Sequence, residues 1–163
     1  VWTTAQKPPQ CRIAIRPGCY ITHDLGIYDE AQRQLMARDS VACDLGGDLT
    51  PALELIALVQ SVPEPGRAIV NFGKRDSAFD AGLPQPIAHY RDGQALALKS
   101  GEITSVGIMD QHCMLTLAAG SDVQVGDILV FGTSHPCLTF DKWQTLHLVD
   151  NDYNVIEELV TMF

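Results

Sequence analysis

A histidine and a cysteine flank one proline at the end of Thr133-Ser-His135-Pro-Cys137, directly after the apolar run Ile128 to Phe131. In an extended chain, residues two apart project to the same side, so this spacing predicts that His135 and Cys137 face one ion. Imidazole with thiolate is a zinc-type ligand pair. Two protein ligands leave the other coordination positions to water or substrate, as a catalytic metal requires. A plainer arrangement also fits, a strand-end histidine bonded to a carbonyl beside a buried cysteine. The loop Gly73-Lys-Arg-Asp76-Ser-Ala-Phe-Asp80-Ala-Gly-Leu-Pro84 places Lys74, Arg75 and Asp76 where they could grip an anionic substrate or form a solvated turn. In Asp110-Gln111-His112 the carboxylate could orient the imidazole for acid/base work, or only share a surface hydrogen bond. Finally, Arg16-Pro-Gly18-Cys19-Tyr20 offers backbone N–H groups at a strand end, with a glycine that allows close approach, a place where phosphates are often held. An ordinary Pro-Gly turn is the alternative there.

The elements that must position these groups are mostly strands. Cys11 to Arg16 reads as a buried strand entering a tight turn, and Asp29 to Arg38 as one short helix behind an acidic start. The stretch from Asp44 to Pro51 has the glycine, aspartate and proline density of a loop, and any internal boundary falls there. Leu53 to Val62 is apolar enough to be helix or strand. The turn Pro63-Glu-Pro-Gly66 and the run Arg67 to Phe72 favour a hairpin. Gly73 to Pro86 is then a long loop, of the kind that is usually functional. Further strands are predicted at Ile103 to Ile108, Cys113 to Leu117, Asp127 to Phe131, Gln144 to Val149 and Val155 to Phe163, with turns at Ala119 to Asp122 and Asp150 to Asp152. Short strands at this spacing describe a mainly β sandwich or barrel.

Composition narrows the partners. With 163 residues, one domain with a real core is expected rather than two. Acidic residues number 20 against 11 basic, a net charge of −9, which excludes a basic stripe for nucleic acid and makes an anionic membrane a poor partner. No apolar run approaches the roughly 20 residues of a membrane helix. Only 19% of residues are charged, below the roughly one quarter usual for soluble domains, so part of the surface is expected to face protein. Five cysteines at irregular spacing, with no CxxC pair, point to free thiols and a reducing, cytoplasmic setting. The opening Val-Trp-Thr-Thr, without methionine or signal segment, is expected to follow a longer upstream polypeptide.

In this order, the motifs resemble the carboxy-terminal part of the D-serine dehydratase and D-threonine aldolase family, pyridoxal-phosphate enzymes of the alanine-racemase fold type (fold type III). The resembling pieces are RPGCYITHDLGIY (Arg16 to Tyr28), Pro51 to Pro86, Asp110 to His112, and VGDILVFGTSHPCLTFDKW (Val125 to Trp143). The resemblance implies that residues 1–45 are the end of a (β/α) barrel, with its last strand, phosphate turn and short helix, and that 46–163 are the carboxy-terminal β domain. It implies that Gly18, Cys19 and Tyr20 hold the cofactor phosphate, and that His135 and Cys137 hold zinc. The Asp110–His112 and Lys74–Asp76 loops would face the active site, with Asp110 and His112 as catalytic candidates.

Cysteine at the second metal position is the pattern of the dehydratase-like members, whereas the aldolases carry aspartate there. Cys137 therefore implies a D-serine dehydratase-like deaminase, a lyase giving a 2-oxo acid and ammonia from a small D-amino acid. A D-threonine aldolase-type retro-aldol cleavage is the alternative within the family, and a non-catalytic metal- or partner-binding β module the alternative outside it. The Schiff-base lysine and most of the barrel lie upstream in the family. The chain alone is thus expected to be inactive, to need that amino-terminal barrel as its partner, and to belong to a homodimer when whole.

Overall fold

A computed structural model describes residues 12, 14, 18–19, 21–44 and 49–162. The predicted strand from Cys11 to Arg16, apart from Arg12 and Ala14, and the phosphate-site candidate Tyr20 lie outside them. Two helices come first, α1 (Ile27–Arg38) and α2 (Ser40–Asp44). α1 begins two residues before the predicted Asp29, because Asp24 lies ahead of it and its Oδ1 accepts the N–H groups of Gly26 (2.8 Å) and Tyr28 (3.0 Å). A carboxylate on these otherwise orphan donors fixes where a helix starts.

Nine strands follow: β1 (Glu54–Glu64), β2 (Arg67–Val70), β3 (Gln85–Arg91), β4 (Gln94–Leu96), β5 (Ile103–Ile108), β6 (Cys113–Leu117), β7 (Ile128–Gly132), β8 (Thr145–Val149) and β9 (Val155–Val160). A five-residue helix, α3 (Pro136–Phe140), separates β7 from β8. The helix alternative for Leu53 to Val62 is settled by burial that alternates along β1, with Leu55, Ala57 and Val59 inside and Glu54, Ile56 and Leu58 outside. Strands β3 and β4 are additions to the sequence reading, which ended its loop at Pro86. Proline disfavours a strand interior. Here Pro86 sits beside a register irregularity at the start of β3, where a bulge accommodates it.

The first seven strands form one antiparallel sheet in the order β4-β3-β7-β1-β2-β6-β5, and β8 and β9 form a separate two-stranded ribbon. The large sheet curls towards closure: the Ser105 N–H on β5 donates to Gln85 Oε1 on β3 at 3.2 Å. The fold is therefore mainly β and barrel-like, as predicted, although the last two predicted strands stand apart from the main sheet. Leu55, Val59, Val70, Phe72, Ile103, Cys113, Leu115, Leu129 and Phe131 fill the interior. Phe72 and Phe131 meet edge-on with centroids 4.8 Å apart. No helix among the described residues is long and apolar enough to cross a membrane.

A buried charge network ties β3 to the turn before β7. Asp127, only 1% exposed, accepts Arg91 Nε (2.7 Å), Arg91 Nη2 (2.9 Å) and the Gln124 N–H (2.8 Å), and lies 2.8 Å from His89 Nε2. Burial pushes its carboxyl up, but the bonds from Arg91, Gln124 and His89 outweigh that and hold it at about 2. A lowered folded value means that the carboxylate stabilises the fold above its ordinary value of 3.8 and that this contribution fades as pH falls through about 2. Asp127→Asn should cost about 3 kcal/mol near neutral pH. In urea titrations the gap between variant and wild type should close over that acid window, and a pH-independent gap would contradict the assignment.

Candidate metal and cofactor corner

Register places the motifs together. Gly132 at the end of β7 lies opposite both Glu54, which starts β1, and Gln85, which starts β3. Val70 at the end of β2 lies opposite Cys113, which starts β6 and also faces Ile108 at the end of β5. Every predicted site loop therefore leaves the same end of the sheet. The segment around Cys19 docks there too: the Leu25 N–H donates to the Thr133 carbonyl (3.0 Å) and the Ala52 N–H to the Thr22 carbonyl (2.8 Å). The fit is close. A β-carbon at Gly26 would lie 3.1 Å from the Ser134 carbonyl oxygen, and one at Gly132 would collide with Leu25.

His135 and Cys137 do not lie on one extended segment, which corrects the geometry expected for them. Pro136 is the first residue of α3, and its fixed φ suits a helix start. His135 thus precedes the helix in an extended conformation (φ −147°) and Cys137 sits in the first turn. The loop Gly73 to Pro84 wraps over this corner. Ala78 donates its N–H to Thr139 Oγ1 (3.1 Å), Trp143 Nε1 donates to the Asp76 carbonyl (2.7 Å), and Ser134 Oγ donates to the Gly82 carbonyl.

The informative contact is between His135 Nδ1 and Asp80, 2.8 Å from Oδ2 and 3.1 Å from Oδ1. A carboxylate accepts only from a protonated nitrogen, so Nδ1 carries the hydrogen, and in the neutral ring the lone pair sits on Nε2. The bond from His135 also holds the Asp80 carboxyl below its ordinary value of 3.8. Carboxylate, histidine and an open ring nitrogen form the arrangement that orients metal-binding imidazoles. Sequence reading had not assigned Asp80 to the site, because nothing local separates it from Asp76 and its partner is 55 positions away.

Cys137 is exposed, and Cys19 is buried. Burial, then Cys137 and Asp24, push the Cys19 thiol up to about 11. Among the described residues no three His, Cys, Asp or Glu side chains are grouped as a ready-made ligand set. Beside Cys19, His23 is 3% exposed and holds a left-handed φ of 49°, and neither ring nitrogen meets a partner among the described residues. A buried imidazole left unpaired is costly, and this corner is where a polar ligand would relieve it. A side chain at Gly18 would strike the Tyr28 hydroxyl, so the turn stays bare.

The other candidates occupy the neighbouring part of the same end. The Lys74 and Arg75 N–H groups donate to the Met109 and Asp110 carbonyls (2.8 and 3.2 Å), and a β-carbon at Gly73 would collide with that backbone. Lys74, Arg75, Asp110 and His112 are exposed. No hydrogen bond joins the Asp110 and His112 side chains; their segment is held by the Met109 N–H donating to the His112 carbonyl (2.8 Å). Asp76 turns inward and accepts the Gly73 N–H at 2.8 Å, which shapes the loop.

The fold and this corner define a mainly β, barrel-like domain that gathers an oriented histidine, an exposed thiol and a glycine turn at one end. Residues 52–149 match the family described as "putative serine dehydratase domain", and the chain belongs to that family. Among solved structures, D-threonine aldolase from Filomicrobium marinum is similar with a TM-score of 0.57 and 21% identity, over 69% of this chain and 28% of that one. D-threo-3-hydroxyaspartate dehydratase from Delftia sp. HT23 gives 0.54 and 18%, over 85% of this chain and 36% of that one. Two mutants of such a dehydratase match as well, one with cysteine replaced by alanine, in a metal-free form, and one with histidine replaced two positions earlier. The chain thus spans about a third of the length of the structures it resembles. No curated protein matches it significantly.

The tautomer assignment is open to direct measurement. Nitrogen chemical shifts of neutral His135 should show the proton on Nδ1, and Asp80→Ala should redistribute it towards Nε2. An Nε2-protonated ring in the wild-type chain would refute the carboxylate's orienting role.

Proposed function

We propose that this chain is the carboxy-terminal part of a pyridoxal-phosphate- and metal-dependent D-amino-acid lyase of the dehydratase type. The observation that carries the reading is the Asp80–His135 bond, which commits Nδ1 and leaves Nε2 of His135 without a partner among the described residues, two positions before the exposed Cys137. That nitrogen and that sulfur would hold a divalent metal, zinc being the ion an imidazole and thiolate suit. The dehydratase mutants support it, since histidine and cysteine were replaced there at the same two-residue spacing and the cysteine mutant is described as metal-free.

Residues 1–45 are read as the end of the cofactor barrel and 46–163 as the β domain. Gly18 and Cys19 would hold the cofactor phosphate through backbone N–H groups that find no partner among the described residues, with Tyr20, the next residue in sequence, as the third candidate. The orphaned His23 ring is a second donor for an anion at that corner. When bound, pyridoxal phosphate supplies the electron sink for loss of the Cα proton, and the metal polarises a β-hydroxyl. The chain's own residues orient the ligand set through Asp80 and close the corner with the Gly73 to Pro84 loop. Lys74 and Arg75 present positive charge to a substrate carboxylate. Asp110 and His112 are exposed on the adjoining turn, where they would exchange protons with substrate or solvent.

The lysines among the described residues, Lys74, Lys99 and Lys142, all lie outside the strands. This supports an aldehyde-binding lysine located elsewhere in the parent enzyme. A small D-amino acid is the substrate class, and a cytoplasmic homodimer is the expected form of the whole enzyme.

Titration of the chain with zinc should give one bound ion. His135→Ala should weaken it by more than about 100-fold and Asp80→Asn by about 10-fold; unchanged affinity in His135→Ala would overturn the ligand assignment. Mixed with pyridoxal phosphate and D-serine, the chain alone should release no pyruvate, whereas the full-length parent should release it in a chelator-sensitive reaction. Steady turnover by the chain, or glycine and an aldehyde from the parent on D-threonine with no 2-oxo acid from any D-amino acid, would contradict the dehydratase reading.

A further inference from the structure

Between the start of β1, the end of α3 and the β8–β9 ribbon lies a cavity of about 560 Å³. Its lining includes none of the residues assigned above to metal, cofactor or substrate. A cavity of this size holds one small molecule. Three aromatic residues, Tyr90, Trp143 and Tyr153, line it together with the carboxylates of Glu54 and Asp150, and among the described residues no lysine or arginine does. His147 lines it too, with Nε2 3.5 Å from the Glu158 carboxylate.

The Tyr90 and Tyr153 rings stand at 85° to each other with centroids 5.9 Å apart, so they form two walls of a corner. The Tyr153 hydroxyl donates to Glu54 Oε2 at 2.8 Å, which fixes the carboxylate beside the rings and leaves its Oε1 without a partner among the described residues. Tyr153 takes a left-handed φ of 62°, a conformation that a bulky residue rarely holds without a local constraint. The turn supplies that constraint. The Tyr153 N–H donates to the Asp150 carbonyl (3.0 Å), and Asp150 Oδ1 accepts the N–H groups of Asp152 and Asn154 (2.9 Å each). Trp143 is anchored from another direction, by its Nε1 donating to the Asp76 carbonyl at 2.7 Å.

We propose that this cavity binds one small quaternary ammonium ion, with Tyr90, Trp143 and Tyr153 around its methyl groups and Glu54 balancing its charge. The site does not depend on the lyase reading. Ring faces attract a cation through their quadrupole, and perpendicular rings beside a carboxylate give that attraction from several sides. A quaternary ammonium has no N–H to donate, so aromatic walls satisfy it without further acceptors. An anion would meet two carboxylates, and a neutral ligand would leave Glu54 without a counter-charge. The net charge of −9 also favours the approach of a cation. A free small molecule is the occupant, because the cavity encloses enough space for the whole of one.

The test titrates the 163-residue chain with choline chloride at constant ionic strength and follows the methyl proton resonance of choline. Saturation at one site with an upfield shift is expected, because methyl groups held over ring faces are shielded. The uncharged tert-butyl isostere of choline should bind at least about 10-fold more weakly, a comparison that needs no variant. Glu54→Gln, which keeps an acceptor for the Tyr153 hydroxyl, and Tyr90→Leu should each weaken choline binding by about 5-fold or more. Glu64→Gln, at the other end of β1, should leave it unchanged. Absence of a saturable upfield shift, equal affinity for the isostere, or equal binding by Glu54→Gln and Glu64→Gln would sink the proposal. A trimethyllysine peptide bound far more tightly than choline would assign the cavity to a protein partner and overturn the small-molecule reading.

Discussion

The arrangement depends on the pairing of β1 with two partners at once. One side of this strand carries β7 from Glu54↔Gly132 to Leu58↔Ile128, and the other meets β2 from Val59↔Val70 onward. A strand paired on both sides leaves little freedom in where its neighbours end. It sends the tail of β7, which leads to His135, and the tail of β2, which leads to the Gly73 loop, out of the same end of the sheet. Slipping β1 by one residue would turn Leu55, Ala57 and Val59 out of the core, so the hydrophobic pattern that builds the interior also fixes where the chemical groups emerge. Core and site are consequences of one register.

Electrostatics then divides between the two ends. At the far end Asp127 is saturated by Arg91, Gln124 and His89, with no acceptor capacity left for a ligand. At the near end His135 has one nitrogen committed and one open, and His23 has both uncommitted among the described residues. Both ends contain a histidine facing an aspartate. Burial and the number of donors decide which pair serves as a fastener and which remains available.

Much of this was legible in the sequence. Apolar runs bounded by glycine and proline located β5 and β6 to the residue and β1, β2, β7 and β8 nearly so, because a half-buried strand must alternate or be continuously apolar. β3 was missed, since Pro86 and a polar composition hide a strand whose partners, not its own residues, hold it in place. The His135–Cys137 pair was visible as a spacing, but its geometry was misjudged: Pro136 starts a helix where an extended segment was expected. Asp80 was not assigned because its role exists only after a loop folds back across the sheet end. Short-range patterns show in composition, whereas contacts between distant segments do not.

Four glycine turns elsewhere in the fold have a different character. Gly93, Gly101, Gly120 and Gly126 all take positive φ, a conformation that strains other residues, although a β-carbon at any of them would meet no atom within 4 Å. Gly73 and Gly132, by contrast, are hemmed in by backbone or by a packed leucine. The molecule is therefore crowded around the His135 corner and uncrowded at these turns. Chain can be inserted there, provided glycine keeps the positive φ, while the His135 corner keeps its shape.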